Sequence, residues 1–247
     1  MGVENIITFD AHDGRVQNAI PLNGFETIQP VYQFIKAILR TDPSIKIDSD
    51  NLMVISPDEG GMSRAIYMAN SLGVDMGMFY KRRDYSTIKN GMNPVVAHEF
   101  LGDDIAGKDM IILDDMISSG GSMLEVARRL KKLKAGKIFM CSTFGLFTNG
   151  MAEFDKAYDE GIFDHIITTN LIYQNPELLK RNYYVSCDLS KFIAFIIDHL
   201  NHDVSISDLL NPAERIQKVL KKHNDAQGST AKAEDSDDSK AKAEMNT

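Results

Sequence analysis

Apolar positions along this chain alternate between short unbroken runs and longer stretches with helical spacing. Runs over residues 4–9, 51–56, 74–80, 110–113, 137–143, 163–168 and 183–187 predict short, buried strands. Between them, residues 28–40 place Ile28, Val31, Phe34, Ile35, Ile38 and Leu39 on one helical face, with Pro30 tolerable in the first turn. Residues 62–72, 123–134, 151–160 and 191–200 also read as helices, and shorter ones close the pattern near 206–210 and 212–222. This alternation predicts an α/β fold, a mainly parallel sheet covered by helices on both faces. Residues 84–107 show little helical period, only a possible hairpin around Lys89-Asn90-Gly91. A connection of that length reads as a lid, with Lys81, Arg82 and Arg83 at its root. From Asn224 onward the composition turns to Ala, Lys, Ser, Asp and Glu, which predicts a disordered tail.

The most informative stretch is residues 109–122. An apolar run from Met110 to Leu113 stops at two carboxylates, Asp114 and Asp115. Ser118, Ser119, Gly120, Gly121 and Ser122 follow, and a helical pattern starts at Met123. This order fits the carboxyl edge of a parallel sheet, where α/β proteins bind ligands. Loop amides and a helix N-terminus can hold a phosphate. The carboxylates can accept hydrogen bonds from vicinal sugar hydroxyls or hold Mg²⁺. A bland alternative makes these residues turn and N-cap positions only. A P-loop nucleotidase would need G-x-x-x-x-G-K-[ST], and neither Gly107-Lys108-Asp109 nor Gly136-Lys137-Ile138 supplies it.

Two further strand ends carry chemistry. Residues 4–9 run into Asp10-Ala11-His12-Asp13, which suits a metal or phosphate contact as well as a surface turn. Residues 51–56 run into Ser56-Pro57-Asp58-Glu59-Gly60-Gly61, where Asp58 reads equally as an N-cap. The chain of 247 residues is 43% apolar with a quarter of its residues charged, which allows a sizeable core. A net charge of −8 argues against broad nucleic-acid binding. No apolar run approaches a membrane span, and Cys141 and Cys187 fall inside apolar runs as buried thiols. The expected location is cytoplasmic.

Five motifs taken in order carry a resemblance: Phe9-Asp10-Ala11-His12, Ser56 to Gly61, Tyr80-Lys81-Arg82-Arg83, Asp114 to Ser122, and Thr143-Phe144-Gly145-Leu146-Phe147. Over residues 3 to about 210 the chain resembles the ribose-phosphate diphosphokinases, or phosphoribosyl pyrophosphate synthetases, which have the type I phosphoribosyltransferase fold. The resemblance implies that ATP and ribose 5-phosphate are the partners and Mg²⁺ the cofactor. The product would be 5-phosphoribosyl 1-diphosphate, for nucleotide biosynthesis, with AMP released. It implies that Asp114 and Asp115 bind the ribose hydroxyls while Ser118, Ser119, Gly120, Gly121 and Ser122 form the 5-phosphate loop. Lys81 and Arg83 match the family's catalytic cations, and His12 and Asp58 its metal positions. A homo-oligomer is implied too.

Three departures qualify that picture. Ser118 stands where the family usually has Asp, and Phe144 replaces a His common in that segment. The chain also opens near the last strand of the family's N-terminal domain. The expected division is therefore 1–26 as the end of that domain, 27–223 as the C-terminal domain and 224–247 as tail. The first and last of these motivate an alternative, a catalytically weak regulatory or truncated synthetase-like subunit that binds ribose 5-phosphate. A salvage phosphoribosyltransferase is a third reading, disfavoured because no base-recognition segment stands out.

Overall fold

The computed structural model describes residues 2–22, 24–83 and 95–227. A seven-stranded sheet runs in the order β5 (Val95–Leu101), β4 (Asp75–Arg83), β3 (Leu52–Ser56), β6 (Asp109–Ile117), β7 (Ile138–Gly145), β8 (His165–Thr169) and β9 (Tyr184–Cys187). All neighbouring pairs are parallel except β4–β5. Helices α1 (Val31–Thr41), α2 (Met62–Leu72), α3 (Gly121–Lys132), α4 (Ala152–Asp159), α5 (Pro176–Leu179), α6 (Ser190–Asn201) and α7 (Ser207–Leu210) intervene or follow, and residues 213–227 form a last helix, α8. That helix runs past the expected boundary at 223.

The alternation of side chains along each strand explains the two layers. On β3, Met53 and Ile55 join Met110, Ile112, Ile138 and Met140 in a core beneath α3 and α4. Leu52 and Val54 join Ile111, Leu113, Phe139 and Cys141 in a second core beneath α1, α2 and α8. Every residue of β3 is buried, as a strand covered on both faces must be. The fold is the expected α/β one.

The connections turn in opposite directions around one crevice. From β3 the chain crosses over α2 to β4 on one side, and from β6 it crosses over α3 to β7 on the other. Since α2 and α3 cover opposite faces, the carboxyl ends of β3 and β6 flank a topological switch point, the place where open α/β sheets bind ligands.

Several boundaries differ from the sequence-based expectation. The strand at the acidic pair does not stop at Leu113: β6 continues to Ile117 through pairing with β7 as far as Ile117↔Gly145. The stretch after Tyr80 is not loop at its root. Strand β4 continues through Arg83 and pairs antiparallel with β5, which the apolar pattern did not single out. Residues 89–91, where a hairpin turn was expected, lie outside the described residues. Strand β1 (Asn5–Phe9) is paired in parallel with β2 (Gly24–Ile28), a strand not expected from the sequence. This two-stranded sheet meets the body through the Phe9 ring, edge-on to Phe192 at 6.1 Å, and through buried Ile28.

Candidate functional site

Asp114 and Asp115 leave the pleat of β6 on opposite sides. Asp114 is partly exposed, while Asp115 is only 4% exposed and shares its face with Leu113 and the α2 layer. The Asp115 amide donates to Asp114 Oδ1 at 2.9 Å, which fixes the two side chains relative to each other. His12 brings its Nδ1 to 2.8 Å from Asp115 Oδ2, although its ring is otherwise exposed. The sheet thus gathers His12 and both aspartates.

Electrostatics separates the pair. Burial, the Asp115 carboxylate and weak compensation push Asp114 well above the usual carboxylate range. Burial acts the same way on Asp115. There, hydrogen bonds from Asp114 and His12 and the charge of Arg64 outweigh it and hold the group below its ordinary value. His12 in turn is raised, mainly by its hydrogen bond to Asp115. Two adjacent carboxyls with opposed shifts behave as one coupled acid.

Directly after β6, residues 118–120 form a bent loop braced from outside. Leu146 and Phe147 donate their amides to Ile117 O, at 2.9 and 3.2 Å, and Thr148 donates to Ser118 O at 2.9 Å. Gly120 takes φ +84°, and a Cβ there would overlap the Phe154 ring. Both facts demand glycine. No side chain caps the first turn of α3, and Ser119, Gly121 and Ser122 are exposed, so the helix N-terminus opens its free amides to solvent. Gly120→Ala should therefore cost about 2–3 kcal/mol, from left-handed strain plus overpacking. A thermal melt that left the midpoint unchanged would refute that packing.

The neighbouring turn after β3 is organised by Asp58. Its Oδ1 accepts the amides of Gly60 (3.0 Å) and Gly61 (3.3 Å), while Ser56 Oγ donates to Asp58 O at 2.6 Å. A Cβ on Gly61 would lie 2.9 Å from Ser56 Oγ and 3.6 Å from Leu113 O, so the start of α2 packs closely on the end of β3 and lies beside β6 at Leu113. A cavity of about 490 Å³ beside it is lined by His12, Asp13, Gly60, Ser63 and Arg64 among others. Lys81 and Arg83 fall on β4 beyond Met78, the last residue paired to β3. Only their backbone belongs to the described residues. That backbone forms a two-stranded arm with β5, irregular between Arg82 and Arg83.

Sequence reasoning missed the buried centre of this site. Asp10 (3% exposed) and Arg64 (6%) form an ion pair, with Arg64 Nε 2.8 and 3.0 Å from the two carboxylate oxygens. Thr143 Oγ1 donates to Asp10 Oδ2 at 2.7 Å. Arg64 was detectable in principle, since it shares the buried stripe of α2 with Ala65, Met68 and Leu72. Asp10 stood out only as part of the strand-end stretch Asp10-Ala11-His12-Asp13, with nothing to show its partner.

Residues 27–181 match the phosphoribosyl transferase domain family. The chain belongs to that family. Named relatives refine the placement: the chain is 31% identical to the ribose-phosphate pyrophosphokinase of Pasteurella multocida, over 84% of this chain and 61% of that protein. It is 29% identical to the Vibrio parahaemolyticus enzyme of the same name, over 85% of this chain and 62% of the relative. It therefore spans about three-fifths of the length of these relatives. The crystal structure of phosphoribosylpyrophosphate synthetase from Mycobacterium smegmatis superposes with a TM-score of 0.66 at 21% identity, covering 82% of this chain and 60% of that one. This likeness is one of fold, and it agrees with a type I phosphoribosyltransferase-like sheet. Among the described residues no helix is long and apolar enough to cross a membrane.

Proposed function

We propose that the chain binds ribose 5-phosphate at the β6–α3 loop and acts as a ribose-phosphate diphosphokinase, moving the diphosphoryl group of Mg²⁺–ATP to the sugar 1-hydroxyl. One observation carries this reading. The carboxylates of Asp114 and Asp115 sit immediately before a glycine-bent loop that ends in an uncapped helix N-terminus. The two parts suit the two ends of one sugar phosphate: the acids accept from vicinal hydroxyls, and the amides of residues 119–122 meet the phosphate. The names of the relatives support the choice of diphosphoryl transfer over base exchange.

Mg²⁺ carried by a nucleotide needs few protein donors. Among the described residues no three His, Cys, Asp or Glu side chains form a cation cage, and Mg²⁺ usually keeps several waters and takes one or two carboxylates plus phosphates. Asp58 and His12 would hold it. When bound, it would neutralise phosphate charge. The protein's own part is to orient the sugar hydroxyl through the acidic pair and to set Lys81 and Arg83 against the charge of the moving group.

The test is AMP release from Mg²⁺–ATP with and without ribose 5-phosphate. Sugar-dependent AMP supports the kinase. Nucleobase-dependent release of diphosphate from 5-phosphoribosyl 1-diphosphate would replace it with a salvage transferase. Ser118, which departs from the family pattern, motivates the regulatory reading, for which saturable ribose 5-phosphate binding without turnover is the signature. In either of the first and last cases Asp115→Ala should weaken sugar-phosphate binding by roughly ten- to a hundredfold, the worth of a charged hydrogen bond. Calorimetry showing unchanged affinity would remove the acidic pair from the site.

A further inference from the structure

A buried cation stands behind the acidic pair without touching it. Arg64 lies in the first turn of α2, where both burial and the helix dipole oppose a positive charge. Three elements converge to keep it there. Asp10, at the end of β1, accepts its Nε with both oxygens, and Thr143, on β7, donates to Asp10 Oδ2. Asp10 itself is fixed by its amide on Ile28 O at 2.9 Å and by a left-handed φ of +44°. Anchored through Nε, Arg64 holds its two terminal nitrogens 3.8 Å from Asp114 Oδ1 and 3.9 Å from Asp115 Oδ1. These are ion-pair distances, too long for hydrogen bonds.

We propose that Arg64 is a positioning residue, held off by Asp10 and Thr143, that keeps the Asp114–Asp115 pair aimed at the hydroxyls of a bound sugar phosphate. The proposal rests on the reading that this pair binds the ribose. Two adjacent carboxyl groups with no cation facing them repel and turn apart. An arginine hydrogen-bonded directly to them would occupy the lone pairs that the hydroxyls must reach. Near 4 Å, Arg64 supplies charge without taking a lone pair from the carboxylates. The planar guanidinium is what allows Nε to serve Asp10 while both terminal nitrogens serve the pair; a lysine ammonium presents one point charge and cannot do both.

The test compares ribose 5-phosphate with inorganic phosphate by titration calorimetry on the full chain, for wild type, Arg64→Lys, Asp10→Asn and Thr143→Val. Phosphate alone probes the loop at 118–122 and does not need the acidic pair. The expected result is a loss of roughly tenfold in ribose 5-phosphate affinity for Arg64→Lys and Asp10→Asn, with a smaller loss for Thr143→Val, while phosphate affinity stays within about twofold. In an Asp115→Asn background, Arg64→Lys should add little further loss, because the two act as one unit. Parallel losses of both ligands, or full additivity in the double variant, would reduce Arg64 to a general structural role and overturn the proposal. If Asp115→Asn weakens ribose 5-phosphate while Arg64→Lys and Thr143→Val leave it unchanged, the positioning role fails and the sugar-binding reading survives. If Asp115→Asn itself has no effect, that reading fails and takes the positioning role with it. Should Arg64→Lys not fold, Thr143→Val, which keeps both charges, carries the comparison.

Discussion

Lys81→Ala is expected to lower the turnover of ribose 5-phosphate-dependent AMP release by about a hundred- to a thousandfold, the effect of removing one preorganised charge from a transition state. Ribose 5-phosphate affinity should stay within about twofold. The separation follows from where β4 takes the residue. The last rung between β3 and β4 is Ser56↔Met78, and beyond it only β5 accompanies the strand. Lys81 is three residues further on, level with the end of β6 but two strand spacings, about 10 Å, to its side across β3. The sugar phosphate would be held at the end of β6, by Asp114, Asp115 and the start of α3. A cation out on the arm therefore reaches what is transferred to the sugar rather than the sugar itself. Single-turnover kinetics with titration calorimetry on the same preparation checks this. Equal losses in rate and affinity would assign Lys81 to sugar-phosphate binding.

The parts of the fold that were legible in the sequence are those whose side chains had to be apolar. Strands β3, β6 and β7 are buried on both faces, so they appear as unbroken runs, and the helices between them show one greasy stripe each. The Gly/Ser loop was legible because left-handed backbone at Gly120 and close approach to Phe154 leave few other choices. Strand β2 was not: of Gly24-Phe25-Glu26-Thr27-Ile28 only Ile28 is fully buried, and its pairing with β1 comes from backbone hydrogen bonds that no side-chain pattern reports. The same reason hid the continuation of β6 through Asp114 and Asp115, where polar side chains ride on a strand fixed by its neighbour. The Asp10–Arg64 pair was hidden by distance in the chain, since an acid at a strand end and a base in a helix become a pair only after β1 docks against α2.

Arg64→Met should destabilise the fold by about 3–5 kcal/mol, the usual consequence of removing one partner from a buried ion pair. For a chain of this size that corresponds to roughly 6–20 °C in the melting midpoint. The size comes from what is left behind. Among the described residues, Asp10 would remain almost fully buried with Thr143 as its remaining side-chain hydrogen-bond partner, and Asp114 and Asp115 would lose the cation facing them. The pH dependence gives the cause away. Burial already raises the Asp10 carboxyl above its ordinary value, and the Arg64 charge is the largest effect opposing that rise. Without Arg64 the folded-state value climbs further, so the folded protein binds more protons than the unfolded chain between the unfolded value near 3.8 and the raised folded one. Stability then falls as pH rises through that window, and the deficit of Arg64→Met should be smaller at pH 5 than at pH 8. Neutralising the stranded acid should restore most of the loss: Arg64→Met with Asp10→Asn ought to melt well above Arg64→Met alone, because an amide can still accept from Thr143 without carrying a buried charge. A double variant no more stable than the single one, with a deficit independent of pH, would mean that Arg64 stabilises the fold by packing its side chain rather than by its charge.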